Sequence, residues 1–462
     1  MKRIVVLAAV WAAGQLPPPG VAGGEAEDVA FRAALLSRVR STMRLALARM
    51  PNYTCTETIA RSTGNGMPFQ VDTLERLRLQ VALIGGRELF SWPGAAPFER
   101  ADPSDIVGAG LIGTGDFSGF TRAIFGSDAA VFTGGTEEVR ADRQTIRYGY
   151  VVSRQRSTYT LESPLARAVV GYHGSIWVDP ITERVLALEV HVADDVEEMP
   201  EPLDMTDVET VLEYRPMRIG DAEFPFPASS TLTVVHRWGC SDVTTSIEYK
   251  PVELDGVEIR FPGDSGTVMH RPSCRVTSNR VDFSECRQYT AESSISFGGN
   301  GDDRDAAASM PAPRELPEGV VFRVALDESI GALSSAAGDA VWATLREPVK
   351  AGTIKIPRGA RLRGRILRVE SDLNKGTTHV RLGFSHLESG DNRFPFRARF
   401  AGFEPIPGVT GGVPGRWRSF NLRDLRNENA PEWGTRMDFT LSGKESRIPA
   451  GFRMKWVTVL GR

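Results

Sequence analysis

From Tyr53 onward apolar and polar residues alternate with a period of two, and this pattern leaves the chain few folds to choose from. In Val185-Leu-Ala-Leu-Glu-Val-His-Val192, Leu186, Leu188, Val190 and Val192 fall on one face of a strand, Glu189 and His191 on the other. Residues 145–153 and 230–235 alternate in the same way. Helical patterning is scarce in this region, so the strands are expected to be antiparallel and joined by hairpins. The 46 glycines and 29 prolines supply the turns.

One helix precedes the strands. Over residues 26–50, Phe31, Leu35, Val39, Met43, Leu47 and Met50 recur at helical spacing, and Arg32, Arg38, Arg40, Arg44 and Arg49 occupy the other faces. Pro51 ends it. Packing on a sheet is the expected use of this stripe, in preference to lying on a membrane surface. Before it, Lys2 and Arg3 lead into an apolar stretch over 4–13 and then small residues around 21–24. That is the pattern of a cleaved export signal over 1–26, too short to span a hydrocarbon core of ~30 Å. A periplasmic location follows.

In an oxidising compartment the four cysteines, Cys55, Cys240, Cys274 and Cys286, favour two disulfides. A short repeat bears on their pairing. Val211-Leu-Glu-Tyr214, Ser246-Ile-Glu-Tyr249 and Arg280-Val-Asp-Phe283 share one shape, and His236-Arg-Trp-Gly-Cys240 matches His270-Arg-Pro-Ser-Cys274. Duplicated strands in consecutive hairpins of a curved sheet account for both matches. Cys240 and Cys274 then lie in loops on one rim, which favours Cys240–Cys274 and leaves Cys55 to pair with Cys286. The alternative is a zinc site made of His236, Cys240, His270 and Cys274.

Length points to two domains. Residues 298–315 read as a polar, then proline-stiffened linker. Beyond it Val320, Phe322, Val324 and Leu326 alternate, as do Val380, Leu382 and Phe384, and Phe394, Phe396, Ala398 and Phe400. The net charge is −3, yet residues 316–462 hold 24 Lys+Arg against 15 Asp+Glu, leaving −12 elsewhere. Such asymmetry suits an interface between the halves or a separate partner for each. Arg361, Arg363, Arg365, Arg381, Arg393, Arg397 and Arg399 alternate with apolar residues and are expected to face outward, where an anionic envelope partner could meet them.

Residues 27–297 resemble the periplasmic lipoprotein-carrier (LolA-type) superfamily in Gly174-Ser-Ile-Trp-Val-Asp179-Pro-Ile-Thr182, Tyr214-Arg-Pro and Phe224-Pro-Phe-Pro227. The resemblance implies an unclosed antiparallel barrel, helices against its concave face, and a cavity for lipid or acyl chains. Residues 316–462 resemble the C-terminal β-barrel of TrbI-type conjugation proteins. The matching segments are Leu316-Pro-Glu-Gly-Val-Val-Phe-Arg-Val-Ala-Leu326, Gly338-Asp-Ala-Val-Trp-Ala343 and Ile356-Pro-Arg-Gly-Ala-Arg-Leu-Arg-Gly364. A small scaffold barrel is implied there. The expected fold is therefore mainly β: a helix with a half-barrel, followed by a second small barrel.

No catalytic constellation emerges. Gly263-Asp-Ser-Gly266 matches the nucleophile motif of trypsin-like proteases, but the motif around a histidine base is absent and Ser265 falls where the sister hairpin has a turn. The acidic run at 302–305 lacks the spacing of a calcium loop. The expectation is a non-enzymatic protein that needs no cofactor, contacts no nucleic acid and has no transmembrane segment. It would hold a lipid or acyl chain in the half-barrel, with Leu35, Val39 and Met43 as central contacts, and dock a partner through the second barrel. The alternatives are an envelope-assembly scaffold whose barrel is filled by its own helix and, further off, a hydrolase.

Overall fold

The computed structural model describes residues 21–66, 69–94, 106, 119–163, 166–193, 203–237, 241–245, 252–254, 257–259, 269–289, 315–412, 435–442 and 447–459. Helix α1 (Val21–Arg49) leads into β1 (Tyr53–Asn65), β2 (Gln70–Ile84) and β3 (Arg87–Ser91). After a helical turn at 119–126 come β4 (Ala130–Arg140), β5 (Arg143–Val152), β6 (Tyr172–Asp179), β7 (Arg184–Ala193), β8 (Met205–Ile219), β9 (Ala222–His236) and β10 (Arg275–Gln288). The second half contributes β11 (Val321–Leu326), β12 (Ala340–Leu345), β13 (Arg361–Asp372), β14 (Thr377–Ser389), β15 (Ala398–Phe403), β16 (Thr435–Ser442) and β17 (Arg453–Thr458).

The first half is an antiparallel sheet in the order β4-β5-β6-β7-β8-β9-β10-β1-β2-β3, and its two edge strands do not pair with each other. One cross-strand row shows which face is inside. Tyr148, Ile176, Leu188, Leu212, Ser230, Val281, Ile59 and Leu77 are register neighbours over eight strands, and each is at most 3% exposed. The repeat falls into this register: Val211 and Arg280, its equivalent first residues, both sit opposite Thr231 of β9. Residues 246–249 lie outside the described residues.

In the second half the order is β15-β17-β11-β12-β13-β14-β16 around a core that includes Phe322, Phe384, Phe396, Phe439 and Trp456. The seam between β15 and β16 carries no ladder. There the Thr435 hydroxyl accepts from the Ala398 N–H at 2.8 Å and donates to the Phe396 carbonyl at 3.0 Å.

Among the described residues, the halves meet along the edge of β2 and at Trp92. Along β2, Thr73–Glu75 pair with Asp372–Glu370 of β13, the Arg78 N–H donates to the Ala337 carbonyl while the Ala337 N–H donates to that of Arg76, and residues 80–84 pair with β3. Arg78 reaches Asp339 across the junction at 2.5 Å. Gly338 sits at φ +107°, and a Cβ there would lie 2.1 Å from the Arg78 carbonyl oxygen. Only glycine permits this approach.

Three expectations need correction. Phe31 is 48% exposed and is no part of the buried stripe. A spacing of four drifts about 40° per step on a helix of 3.6 residues per turn, so Phe31 stands some 80° from Val39. Leu186 is half-buried instead of sharing the inner face, because it sits in a bulge where Trp177 pairs Ala187 but Val178 pairs Val185. Arg365 is not a solvated outward arginine. It is 6% exposed, because the 332–339 loop and Trp92 cover the outside of β13 there. Its guanidinium donates to the Gly338 carbonyl and lies 5.7 Å from the Trp92 ring.

Candidate functional site

The concave face of the half-barrel is where the fold concentrates buried apolar surface, and α1 lies against part of it. Leu35, Val39 and Met43 are 0%, 1% and 3% exposed and share a cluster with Ile124, Phe125, Tyr148 and Tyr150. Polar contacts hold the helix at its margins. The Arg32 guanidinium donates to the Gly135 carbonyl at 3.0 Å, and the Tyr148 hydroxyl donates to the Arg32 carbonyl at 2.8 Å. Arg38 pairs with Glu183 at 2.9 Å, at the tip of the β6–β7 hairpin. Arg44 donates to the Phe125 carbonyl at 2.8 Å and pairs with Asp128. The basic flanks of this helix are thus engaged by protein.

Beneath the helical turn at 119–126 the face is aromatic. Phe120 packs edge-on against Tyr159 and Tyr172, with centroids 4.8 and 5.6 Å away. The polar tips are satisfied: the Tyr150 hydroxyl donates to the Glu189 carbonyl at 2.6 Å, and the Thr121 and Tyr214 hydroxyls meet at 2.5 Å. Burial pushes the Tyr150 phenol well above its ordinary range, so it stays neutral.

The other part of the face, over β1, β2 and β10, buries two polar side chains completely, Glu57 and Asn279. Tyr53, Cys55, Glu57 and Ile59 occupy the inward phase of β1, among Leu77, Leu79, Val81, Val281 and Phe283. Glu57 is fully buried, directly between Leu79 and Phe283 in register, and neither carboxyl oxygen has a hydrogen-bond partner. Burial, with a smaller push from Glu88, raises its pKa well above the carboxylate range. Sequence reasoning passed over Glu57. The available signal was a glutamate in the apolar phase of an alternating strand.

Cys55 and Cys286 are disulfide-bonded, with Cα atoms 4.1 Å apart at a bulge between β1 and β10 where Glu285 takes φ +53°. Beside them a polar cavity of about 300 Å³ is lined by Thr54, Cys55, Thr56, Gln80, Glu285 and Arg287. Cys274 is also disulfide-bonded; Cys240 lies outside the described residues. A sulfur held in a disulfide offers no thiolate, so the zinc alternative at His236, Cys240, His270 and Cys274 loses a ligand. His236 is 3.1 Å from the Thr277 hydroxyl, and burial lowers its pKa. Ser265 and the acidic run at 302–305 lie outside the described residues.

The remaining arginines of the second half are engaged to different degrees. Arg361 pairs with Asp327 and stacks on Trp342 at 4.3 Å, with Arg363 over the same ring at 5.8 Å. Arg381 forms a largely buried pair with Asp438 at 2.7 Å. Arg393, Arg397 and Arg399 are exposed. No helix among the described residues is long and apolar enough to cross a membrane.

No family model and no curated protein matches the chain. Two solved structures are similar to part of it. One is described as a putative outer membrane lipoprotein-sorting protein domain from Vibrio parahaemolyticus, at 10% identity and a TM-score of 0.23, covering 54% of this chain and 91% of that one. The other is a DUF1329 family protein from Desulfovibrio piger ATCC 29098, at 10% identity and a TM-score of 0.24, covering 56% and 95%.

Proposed function

We propose that this is an exported, non-enzymatic carrier-type protein that takes an apolar, lipid-like ligand onto the concave face of its half-barrel. The supporting observation is the face itself. An unclosed sheet presents a buried row over eight strands that is apolar but for Ser230 and the Tyr148 hydroxyl, and a single helix, tethered at its margins by Arg32, Arg38 and Arg44, covers part of it. Concave, mostly apolar surfaces with few polar groups are the usual form of small-molecule sites. On this reading Leu35, Val39 and Met43 give way to the acyl chain and then line it, while the exposed Arg393, Arg397 and Arg399 dock an anionic envelope partner.

One observation favours a second reading. The stripe is so completely buried that α1 serves equally as a permanent plug, which would make the protein an envelope scaffold. Titration with a fluorescent fatty-acid ester separates the two. A carrier binds the probe, and Arg44→Ala, which removes the bond to the Phe125 carbonyl and the shorter of two ion pairs to Asp128, speeds uptake. Val39→Asp abolishes binding, because an unpaired carboxylate then faces the chain. A plug binds no probe in the wild type, and that result would refute the carrier.

A further inference from the structure

Glu57 is costly where it stands. A buried polar group without a partner gives up its hydration for nothing in return, and this one has two oxygens without partners among the described residues at full burial. Its side chain is aimed onto the concave face that the carrier reading assigns to ligand, amid Ile59, Leu79 and Phe283. Arg61, four residues further along the same face, is ion-paired with Glu75.

We infer that Glu57 is the polar anchor of the ligand, its carboxyl hydroxyl donating a hydrogen bond to an uncharged oxygen acceptor such as the ester or amide carbonyl at the head of an acyl chain. The inference rests on the carrier reading and adds the class of ligand head. Three features of the site select a neutral head. Burial keeps the acid protonated and therefore able to donate. A carboxylate or phosphate head would carry its own charge out of water into this apolar surrounding, with Glu88 adding charge of the same sign. An ammonium head would require two buried ions, each with a desolvation cost of several kcal/mol, in return for one contact. A carbonyl acceptor supplies the missing partner without placing any charge in the barrel.

The test is direct binding to the full-length protein of three ligands sharing one C18 chain: the methyl ester, the carboxylate anion and the primary amine. The ester should bind at least tenfold more tightly than the anion. Glu57→Leu should weaken the ester about tenfold, the equivalent of one lost hydrogen bond of about 1.4 kcal/mol, and Glu57→Gln should retain it through its amide N–H. Circular dichroism and melting temperature establish that both variants fold. Ester binding unchanged in Glu57→Leu, or tightest binding of the amine, overturns the anchor while leaving the carrier reading intact. A wild type that binds none of the three overturns both.

Discussion

Glu57 also makes the folded protein sensitive to pH in a direction that can be stated in advance. Unfolded, its carboxyl returns to the ordinary value of 4.5; folded, burial holds it well above that. Between those two values the folded state binds more protons than the unfolded state. The stability linked to Glu57 is therefore fully present below about pH 4.5 and is lost as pH rises toward the folded-state value. One proton corresponds to about 1.4 kcal/mol per pH unit. Glu57→Gln removes this titration and preserves shape, so the quantity to measure is the stability difference between wild type and variant. Other titrations, including the His236 imidazole lowered by burial, are common to both proteins and cancel. Urea unfolding at pH 5, 6 and 7, followed by the fluorescence of the first half, gives the difference at each pH. Wild type should lose ground steadily against Glu57→Gln as pH rises. A difference that stays constant would mean that Glu57 ionises in the folded state much as it does in water, and the assignment of a neutral buried acid would be wrong.

Two further outcomes concern the sheet. Replacing Cys55 and Cys286 by serine opens a closure spanning 231 residues, which a chain-entropy argument values at about 5 kcal/mol; a loss under 1 kcal/mol in denaturant unfolding would refute that role. Gly338→Ala places a Cβ against the Arg78 carbonyl at a φ of +107° and should accelerate hydrogen exchange at the Arg78 and Ala337 amides while leaving β14 protected. Unchanged exchange at both amides would show that the junction does not depend on this close approach.

The half-barrel was legible because its signals were local and redundant. Alternation over β5, β7 and β9 marked these segments as strands, and the repeat marked duplicated strands in a curved sheet, which the structure shows as β8 and β10 on either side of β9. What misled was periodicity taken too literally. A stripe at spacing four includes Phe31 only if the helix has four residues per turn, and Leu186 joins the inner face only if no bulge interrupts β7. Bulges depend on pairing with a neighbouring strand, and a single strand's sequence holds no record of its neighbour. The junction was hidden for the same reason. Arg365 reads as one more outward arginine until the second half's own 332–339 loop, drawn onto β2 through Ala337 and Gly338, covers that stretch of β13.

The site was less legible than the fold, and the cause lies in what sequence patterns report. Leu35, Val39 and Met43 could be selected because apolar periodicity identifies buried residues, but burial is shared by plug and ligand wall alike. Glu57 breaks the pattern, and such a break distinguishes the two. A sheet that served only as structure could place leucine between Leu79 and Phe283 and would be more stable for it, since an unpartnered carboxyl at full burial contributes nothing to packing that an apolar side chain could not. Retaining the acid there has a physical rationale only if something completes its hydrogen bonding. The α1 stripe lies mainly over the other part of the concave face, and its buried residues leave both Glu57 oxygens without a partner. Glu57 lies over β1, β2 and β10, and it is there, more than along the helix, that the carrier and scaffold readings diverge.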